Sequence, residues 1–399
     1  MLRLGIFLVL AAAGLFTDTP RPAAQIESPA PAGSFAPQLM RASDGSLVLS
    51  WLETRPSKQH RFRAARLRNG AWEPAVTIAE GSQFFANWAD VPSVSEQRGL
   101  LFAHWLEKAG QGTYAYHVKM RVSRDNGRTW GAPAVAHTDR SATEHGFATF
   151  FTRPDGKPGV AWLDGRETAG GNGHGGHGGA AAGAMTLRAA VAGPGGTSSE
   201  VLLDGRVCDC CPTASITTPQ AAIVAYRDRS PGEIRDISIV RFAGGAWSKP
   251  VTMKDGWKIG GCPVNGPALA ARGARVALAW FTGAGNTPSV KLAHSNDSGK
   301  TWSAPVVLSA GIPLGRASAA ITDDGATHVA WVDHNDGDGR LLVRRMAPDG
   351  TLAAAETLTS MKTDRSSGFP RLVADGNRLV YAWTDISADR STRVRVARK

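Results

Sequence analysis

The sequence predicts an all-β chain wound into a propeller of seven four-stranded blades, and three observations carry that prediction. A short aromatic-centred pattern recurs: L-S-W-L-E around Trp51, A-H-W-L-E around Trp105, V-A-W-L-D around Trp162 and V-A-Y-R-D around Tyr226. It continues as L-A-W-F-T around Trp280, V-A-W-V-D around Trp331 and Y-A-W-T-D around Trp383, with spacings of 54, 57, 64, 54, 51 and 52 residues. Self-similarity at such a period marks stacked supersecondary units. Within each unit, short β-rich runs alternate with Asp-Gly or Asn-Gly turns, and no helix-period segment of useful length interrupts them.

Each segment follows in order. One positive charge at Arg3 precedes an apolar run over residues 4–16, too short to span a bilayer and shaped like a secretory h-region. Residues 1–24 are therefore expected to be a signal peptide, with an uncleaved anchor as the alternative. No other stretch is apolar enough to span, so the mature chain is expected to be exported, periplasmic or secreted, and monomeric. Oxidising conditions there permit disulfides. Residues 25–36 are expected to close the ring, and 37–399 to form one propeller domain. The first unit shows the plan: P-Q-L-M-R, a turn at S-D-G, S-L-V-L-S-W-L, then R-F-R-A-A-R-L, a turn at R-N-G, and W-E-P-A-V-T-I. Four such strands per unit of about 50 residues is the arithmetic of a propeller blade. The seventh unit ends after three strands (371–374, 378–384, 393–398), so its fourth is expected from the segment near Ile26. A six-bladed ring with one irregular unit is the alternative.

Ten of the twelve tryptophans occupy two repeat positions, six in the second strand and four opening the fourth (Trp72, Trp130, Trp247, Trp302). They are expected to pack between blades. Trp88 and Trp257 stand outside the repeat.

Two third-to-fourth strand turns read S-R-D-N-G-R-T-W (123–130) and S-N-D-S-G-K-T-W (295–302). Both resemble the Ser-x-Asp-x-Gly-x-Thr-Trp Asp box of the sialidase or BNR-repeat superfamily, through Ser123, Asp125, Gly127, Thr129 and Trp130, and through Ser295, Asp297, Gly299, Thr301 and Trp302. In that motif the Asp caps backbone N–H groups, the Gly takes positive φ and the Trp packs beneath. The resemblance implies a sialidase-type propeller, with these boxes structural and away from the active site. It also implies an arginine triad, a Tyr–Glu nucleophile pair and an Asp acid. The aromatic-Arg-Ile-Pro motif that opens such chains is missing, because Phe35 stands where the first triad arginine belongs. Of the four tyrosines, only Tyr114 and Tyr116 lie outside core strands, and known sialidases draw the nucleophile from late in the chain.

Strand parity sorts the unusual residues. The loop entering the first strand of a blade shares a face with the loop joining its second and third strands. Cys208, Cys210 and Cys211 precede blade 4, Cys262 precedes blade 5, His145 precedes blade 3, Trp88 precedes blade 2, and Arg316 precedes blade 6. Glu233, Arg235 and Asp236 follow Arg227 and Asp228 in the charged loop of blade 4, and His174 and His177 lie in the Gly/His loop of blade 3. All face away from the Asp boxes. The cysteines admit two readings: a disulfide from Cys262 to one of the other three, or a soft-metal site for copper or zinc completed by His145, His174 or His177.

An excess of 11 positive charges suits anionic partners such as an acidic glycan or an envelope component, while no Lys/Arg block points to nucleic acid. The leading expectation is a binding or metal-handling module acting through the Cys/His/Arg face, with Trp88, Trp257, Arg227 and Asp228 as ligand contacts. The alternative is an exo-sialidase-like glycoside hydrolase on an anionic glycan, with Glu233, Asp236 and Asp209 as carboxylates and Arg235 and Arg316 orienting the substrate.

Overall fold

The computed structural model describes residues 24–168, 183–335 and 338–399. Seven antiparallel sheets, spanning 34–81, 93–135, 145–204, 214–253, 268–307, 312–361 and 371–398, form the seven blades. Their innermost strands together line a central cavity of ≈ 570 Å³. The ring closes as expected: Ala24–Ile26 pairs with Thr392–Arg398, in the register Ala24↔Arg398 to Ile26↔Val396. Ala24 itself is thus part of the closing strand, one residue inside the boundary expected for the leader. Gly33 N–H donates to the Thr392 carbonyl at 2.7 Å, adding a second tie.

The repeat aromatics explain why seven sheets make one body. Among the described residues the core divides into clusters that straddle consecutive blades. Trp51 packs on Val394 and Val396 of blade 7, Trp105 on Leu52 and Phe62 of blade 1, and Trp162 on Val118 and Met120 of blade 2. Tyr226 takes the same place on blade 3, and Trp280, Trp331 and Trp383 repeat it around the ring. All seven rings are at most 3% exposed. The acid two residues beyond the aromatic also has a reason to be there. The indole N–H of Trp51, Trp105 and Trp162 donates to Glu53, Glu107 and Asp164 at 2.9, 2.7 and 2.7 Å, which satisfies an otherwise stranded donor.

Two blades depart from the simple four-strand plan. In blades 1 and 4 the outer strand breaks into two pieces, Ala71–Trp72 with Val76–Gly81 and Ala246–Trp247 with Val251–Met253. Pro74 and Pro250 sit at the breaks, where a residue without an N–H cannot continue the ladder.

The two Ser-x-Asp-x-Gly-x-Thr-Trp turns have matching hydrogen bonds. Asp125 accepts from Thr129 N–H and Oγ1 at 2.9 and 2.6 Å, and Asp297 accepts from the same two groups of Thr301 at the same distances. Ser123 and Ser295 accept from Gly127 and Gly299 N–H at 2.8 Å. These glycines take φ of 87° and 79°.

A chain beginning at residue 28 loses the closing strand, and with it three ladder pairs and the packing of Ile26. We expect urea unfolding to show a stability loss of about 2 kcal/mol relative to a chain beginning at residue 22.

Candidate functional site

On the face opposite the Asp-containing turns lies a cleft of ≈ 480 Å³. One wall comes from blades 2 and 3 and carries Phe85, Trp88, Tyr114, Tyr116 and Glu144. The other comes from blades 4 and 5 and carries Asp209, Cys210, Arg229, Arg235 and Cys262, with Arg365 contributed from the loop before blade 7.

The first wall holds a buried Tyr–Glu pair. Tyr116 begins the third strand of blade 2, and Glu144 directly precedes the inner strand of blade 3. A parallel bridge joins the two residues, and Gly165 N–H donates to the Glu144 carbonyl at 2.7 Å. The Tyr116 hydroxyl donates to the Glu144 carboxylate. Phe85 stacks on the tyrosine ring at 4.3 Å and fixes its plane. Behind them sits Asp90, positioned by an Asx turn in which Asn87 Oδ1 accepts from Asp90 N–H at 2.7 Å. Gly146 allows this closeness, because a Cβ there would collide with the Asp90 carboxylate and stand 3.1 Å from the Tyr116 ring. Burial, reinforced by the charges of Glu144 and Asp90, pushes the Tyr116 phenol well above its usual value. Burial also raises Asp90 to about 7, although Phe147 N–H donates to its carboxylate at 2.6 Å.

The second wall is an ionic network around Glu233. Arg229 donates to it through Nε and Nη2 at 3.0 and 2.9 Å, Arg235 through Nη2 at 2.9 Å, and Arg206 stands at 3.4 Å. Burial works to raise the Glu233 pKa, but the Arg229 and Arg235 hydrogen bonds outweigh it and bring the group to about 2. Asp209 lies 3.7 and 3.6 Å from Arg229 and Arg235. Arg365 is exposed on the rim and makes no side-chain hydrogen bond or ion pair among the described residues.

Other expected ligand contacts are built into the framework. Asp236 accepts from Gly256 and Trp257 N–H at 2.8 and 2.9 Å and so holds a loop. Arg316 does not line the cleft. Its guanidinium is buried against the carbonyls of Thr363, Asp364 and Gly368 and the Ser367 hydroxyl, where burial lowers its pKa to about 10. Arg227 donates to the carbonyls of Asn265, Arg235 and Phe281, and its guanidinium lies 4.9 Å from the Trp257 ring. Trp257 is only 8% exposed and packs edge-on against Phe281, so it offers no face to a sugar. Asp228 is half-buried behind the wall, and burial raises it to about 6. Trp88 alone of the two off-repeat tryptophans reaches the cleft, with Phe369 stacked on it at 5.8 Å and Arg316 over its ring at 5.1 Å.

Cys210 and Cys262 form a disulfide that ties the loops before blades 4 and 5. The loops touch closely enough that a Cβ on Gly266 would strike the Pro212 carbonyl. Cys208 and Cys211 are buried thiols with sulfurs 3.5 Å apart, and they stand in Cys-x-x-Cys spacing, which the denser reading Cys-x-Cys-Cys hides. These residues do not fit a closed zinc or copper site. The disulfide removes Cys210 and Cys262 as thiolates, and the Arg235 guanidinium, 3.2 Å from Cys208 Sγ, places a cation where a metal would sit. His145 does not join them. It is fully buried in a separate trio with His117 and His137, stacked 4.0 Å from His137 and 2.9 Å from Asp139. His137 in turn uses both ring nitrogens on backbone groups, Asp139 carbonyl and Val118 N–H. His174 and His177 lie outside the described residues.

No protein-family model matches the chain, and no curated protein matches it by sequence. Solved structures do. A polysaccharide lyase of family PL25, an ulvan lyase, aligns with TM-score 0.56 at 12% identity over 94% of this chain and 95% of that one. The α-L-arabinanase of Penicillium chrysogenum aligns with TM-score 0.50 at 13% identity over 96% and 98%. The sialidase of Trypanosoma rangeli aligns with TM-score 0.49 at 15% identity over 81% and 56%. At these identities the likeness to the lyase and the arabinanase establishes the propeller fold alone.

Asp90 sets a measurable pH dependence. Its folded pKa is raised from 3.8 to about 7, so between those values the folded state holds more protons than the unfolded one and stability falls as pH rises. Asp90→Asn keeps an oxygen acceptor for Phe147 N–H and cannot ionise. We expect its thermal midpoint to match the wild type near pH 4 and to exceed it increasingly up to pH 8, by at most ~4 kcal/mol of stability.

Proposed function

We propose that the protein is a carbohydrate-active propeller that binds an anionic glycan in the cleft and cleaves a glycosidic bond there. The observation that carries this reading is the buried Tyr116–Glu144 hydrogen bond facing a wall of arginines across one cleft. A neutral phenol is a poor nucleophile, and a carboxylate bonded to its hydroxyl can take the proton as the oxygen attacks. Tyr116 is thus the reacting oxygen and Glu144 the base that activates it. Arg229 and Arg235 are paired with Glu233 and Asp209, whereas Arg365 makes no ion pair among the described residues and offers a planar fork to a carboxylate or sulfate. Trp88 lines the same cleft.

The comparisons support the substrate class at the level of fold. The ulvan lyase was also solved bound to -[GlcA(1-4)Rha3S]-, and the arabinanase was solved with arabinobiose. Export is part of the same proposal, supported by the leader-like run at residues 4–16 and by a disulfide. Among the described residues no helix is long and apolar enough to cross a membrane.

Turnover of 4-methylumbelliferyl sialosides, glucuronides and sulfated glycosides tests the proposal, because the leaving phenol needs little protonation. We expect Tyr116→Phe and Glu144→Gln each to lower kcat by about 10²-fold or more, with the fold retained by circular dichroism. Arg365→Ala should raise KM about tenfold with a smaller change in kcat. Wild-type turnover in Tyr116→Phe would remove the tyrosine from the mechanism.

A further inference from the structure

Cys210 and Cys262 line the cleft, and two further sulfurs, Cys208 and Cys211, are buried behind them; the glycan chemistry uses none of the four. Cys208 Sγ lies 3.5 Å from Cys211 Sγ and 3.8 Å from Cys210 Sγ, and Cys210 is the buried half of the bond to Cys262. Cys262 is exposed, whereas Cys208 and Cys211 are 0% and 1% exposed. A reduced pair therefore touches an oxidised pair, with one sulfur opening to solvent. The site is also tightly built. Cys208 N–H donates to the Arg227 carbonyl at 3.0 Å. Val264, packed on the three buried cysteines, holds φ at 48°, an uncommon backbone state for a β-branched residue. Arg235 Nη1 points at Cys208 Sγ and at no other sulfur among the described hydrogen bonds.

We propose that these four cysteines form a thiol–disulfide exchange site in which one disulfide moves between the accessible Cys210–Cys262 pair and the buried Cys208–Cys211 pair. The step begins with Cys208 as thiolate, stabilised by its hydrogen bond with Cys211 and then by the Arg235 guanidinium 3.2 Å away. Together these hold its pKa below the ordinary thiol value against the opposing effect of burial. The thiolate attacks Cys210 Sγ. A 208–210 bond forms, the 210–262 bond breaks, and Cys262 departs as thiolate and takes up the proton Cys208 gave to solvent. Cys211 then loses its proton and attacks Cys208 Sγ. A 208–211 bond forms, Cys210 leaves as thiolate and is protonated in turn. One disulfide and two thiols exist before and after, so no oxidant or reductant is consumed. The product presents Cys210 and Cys262 as thiols on the cleft wall and unties the loops before blades 4 and 5. This inference does not rest on the glycan reading.

Sequence makes the test direct, because trypsin places Cys262 alone in the peptide 259–272 and the other three cysteines together in 207–227. The native full chain, purified without reductant, is incubated with N-ethylmaleimide at pH 8, then unfolded, digested and weighed. We expect the 259–272 peptide to become alkylated over time, with an unlabelled disulfide retained between Cys208 and Cys211. In Cys208→Ser the labelling rate of Cys262 should fall about tenfold or more, because the attacking thiolate is gone. In Cys211→Ser, Cys262 should still be labelled while the remaining bond stays at Cys208–Cys210, an outcome that loss of structure would not mimic. A 259–272 peptide that stays linked to 207–227 while only Cys208 and Cys211 take label would overturn the proposal. So would a native mass carrying a metal ion over four reduced thiols.

Discussion

The structure depends on one repeated contact, the second-strand aromatic of each blade buried against the blade before it. Trp51 packs against blade 7, so the same contact that stacks neighbours also closes the circle. With every ring at that position essentially buried, neither the tilt nor the order of the blades is free to vary. The loops at one end of the strands are then forced together, although their residues are far apart in sequence. That is how Tyr116, Glu144, Cys210, Arg229, Cys262 and Arg365 come to line one cleft.

Within the cleft, electrostatics divides the labour. On the blade 2/3 wall, burial and neighbouring carboxylates keep Tyr116 protonated at rest, and the hydrogen bond to Glu144 provides a route for the proton during attack. On the blade 4/5 wall, arginines and carboxylates are paired in one ionic network. Glu233 stays ionised because two arginines bind it, and its charge orients Arg235 toward Cys208. A single guanidinium thus links the anion-facing wall to the sulfur cluster. The same cation counts against a resident metal among the cysteines, and His145, which sequence parity brings to the correct face, is occupied in its own histidine trio.

Much of this was legible in the chain, and the exceptions have physical causes. The aromatic period, the turn residues and the closing strand all follow from local rules, and each reappears in the sheet pairing. Parity alone placed the cysteines, Trp88 and Arg235 on one face. It could not separate residues that point into the cleft from residues that plug the framework. Arg316 and Asp236 have the chemistry of a site, yet one is surrounded by carbonyls and the other caps backbone N–H groups. The Tyr116–Glu144 pair escaped because its partners are 28 residues apart on different blades. Tyr116, expected outside the core strands, in fact opens a buried strand. The available signals were a tyrosine at the start of a third strand and a carboxylate just before an inner strand, both on the same face by parity. Resemblance to sialidases worked against this pair by directing attention to tyrosines late in the chain.

A crystal structure of the protein soaked with a glucuronic-acid oligosaccharide tests glycan binding in the cleft most directly. We expect sugar in the cleft, its carboxylate within hydrogen-bond reach of Arg365 and Arg229, and its reacting carbon facing the Tyr116 hydroxyl. Sugar seated instead in the central channel or beside the turns at Asp125 and Asp297, with the cleft empty, would contradict that expectation.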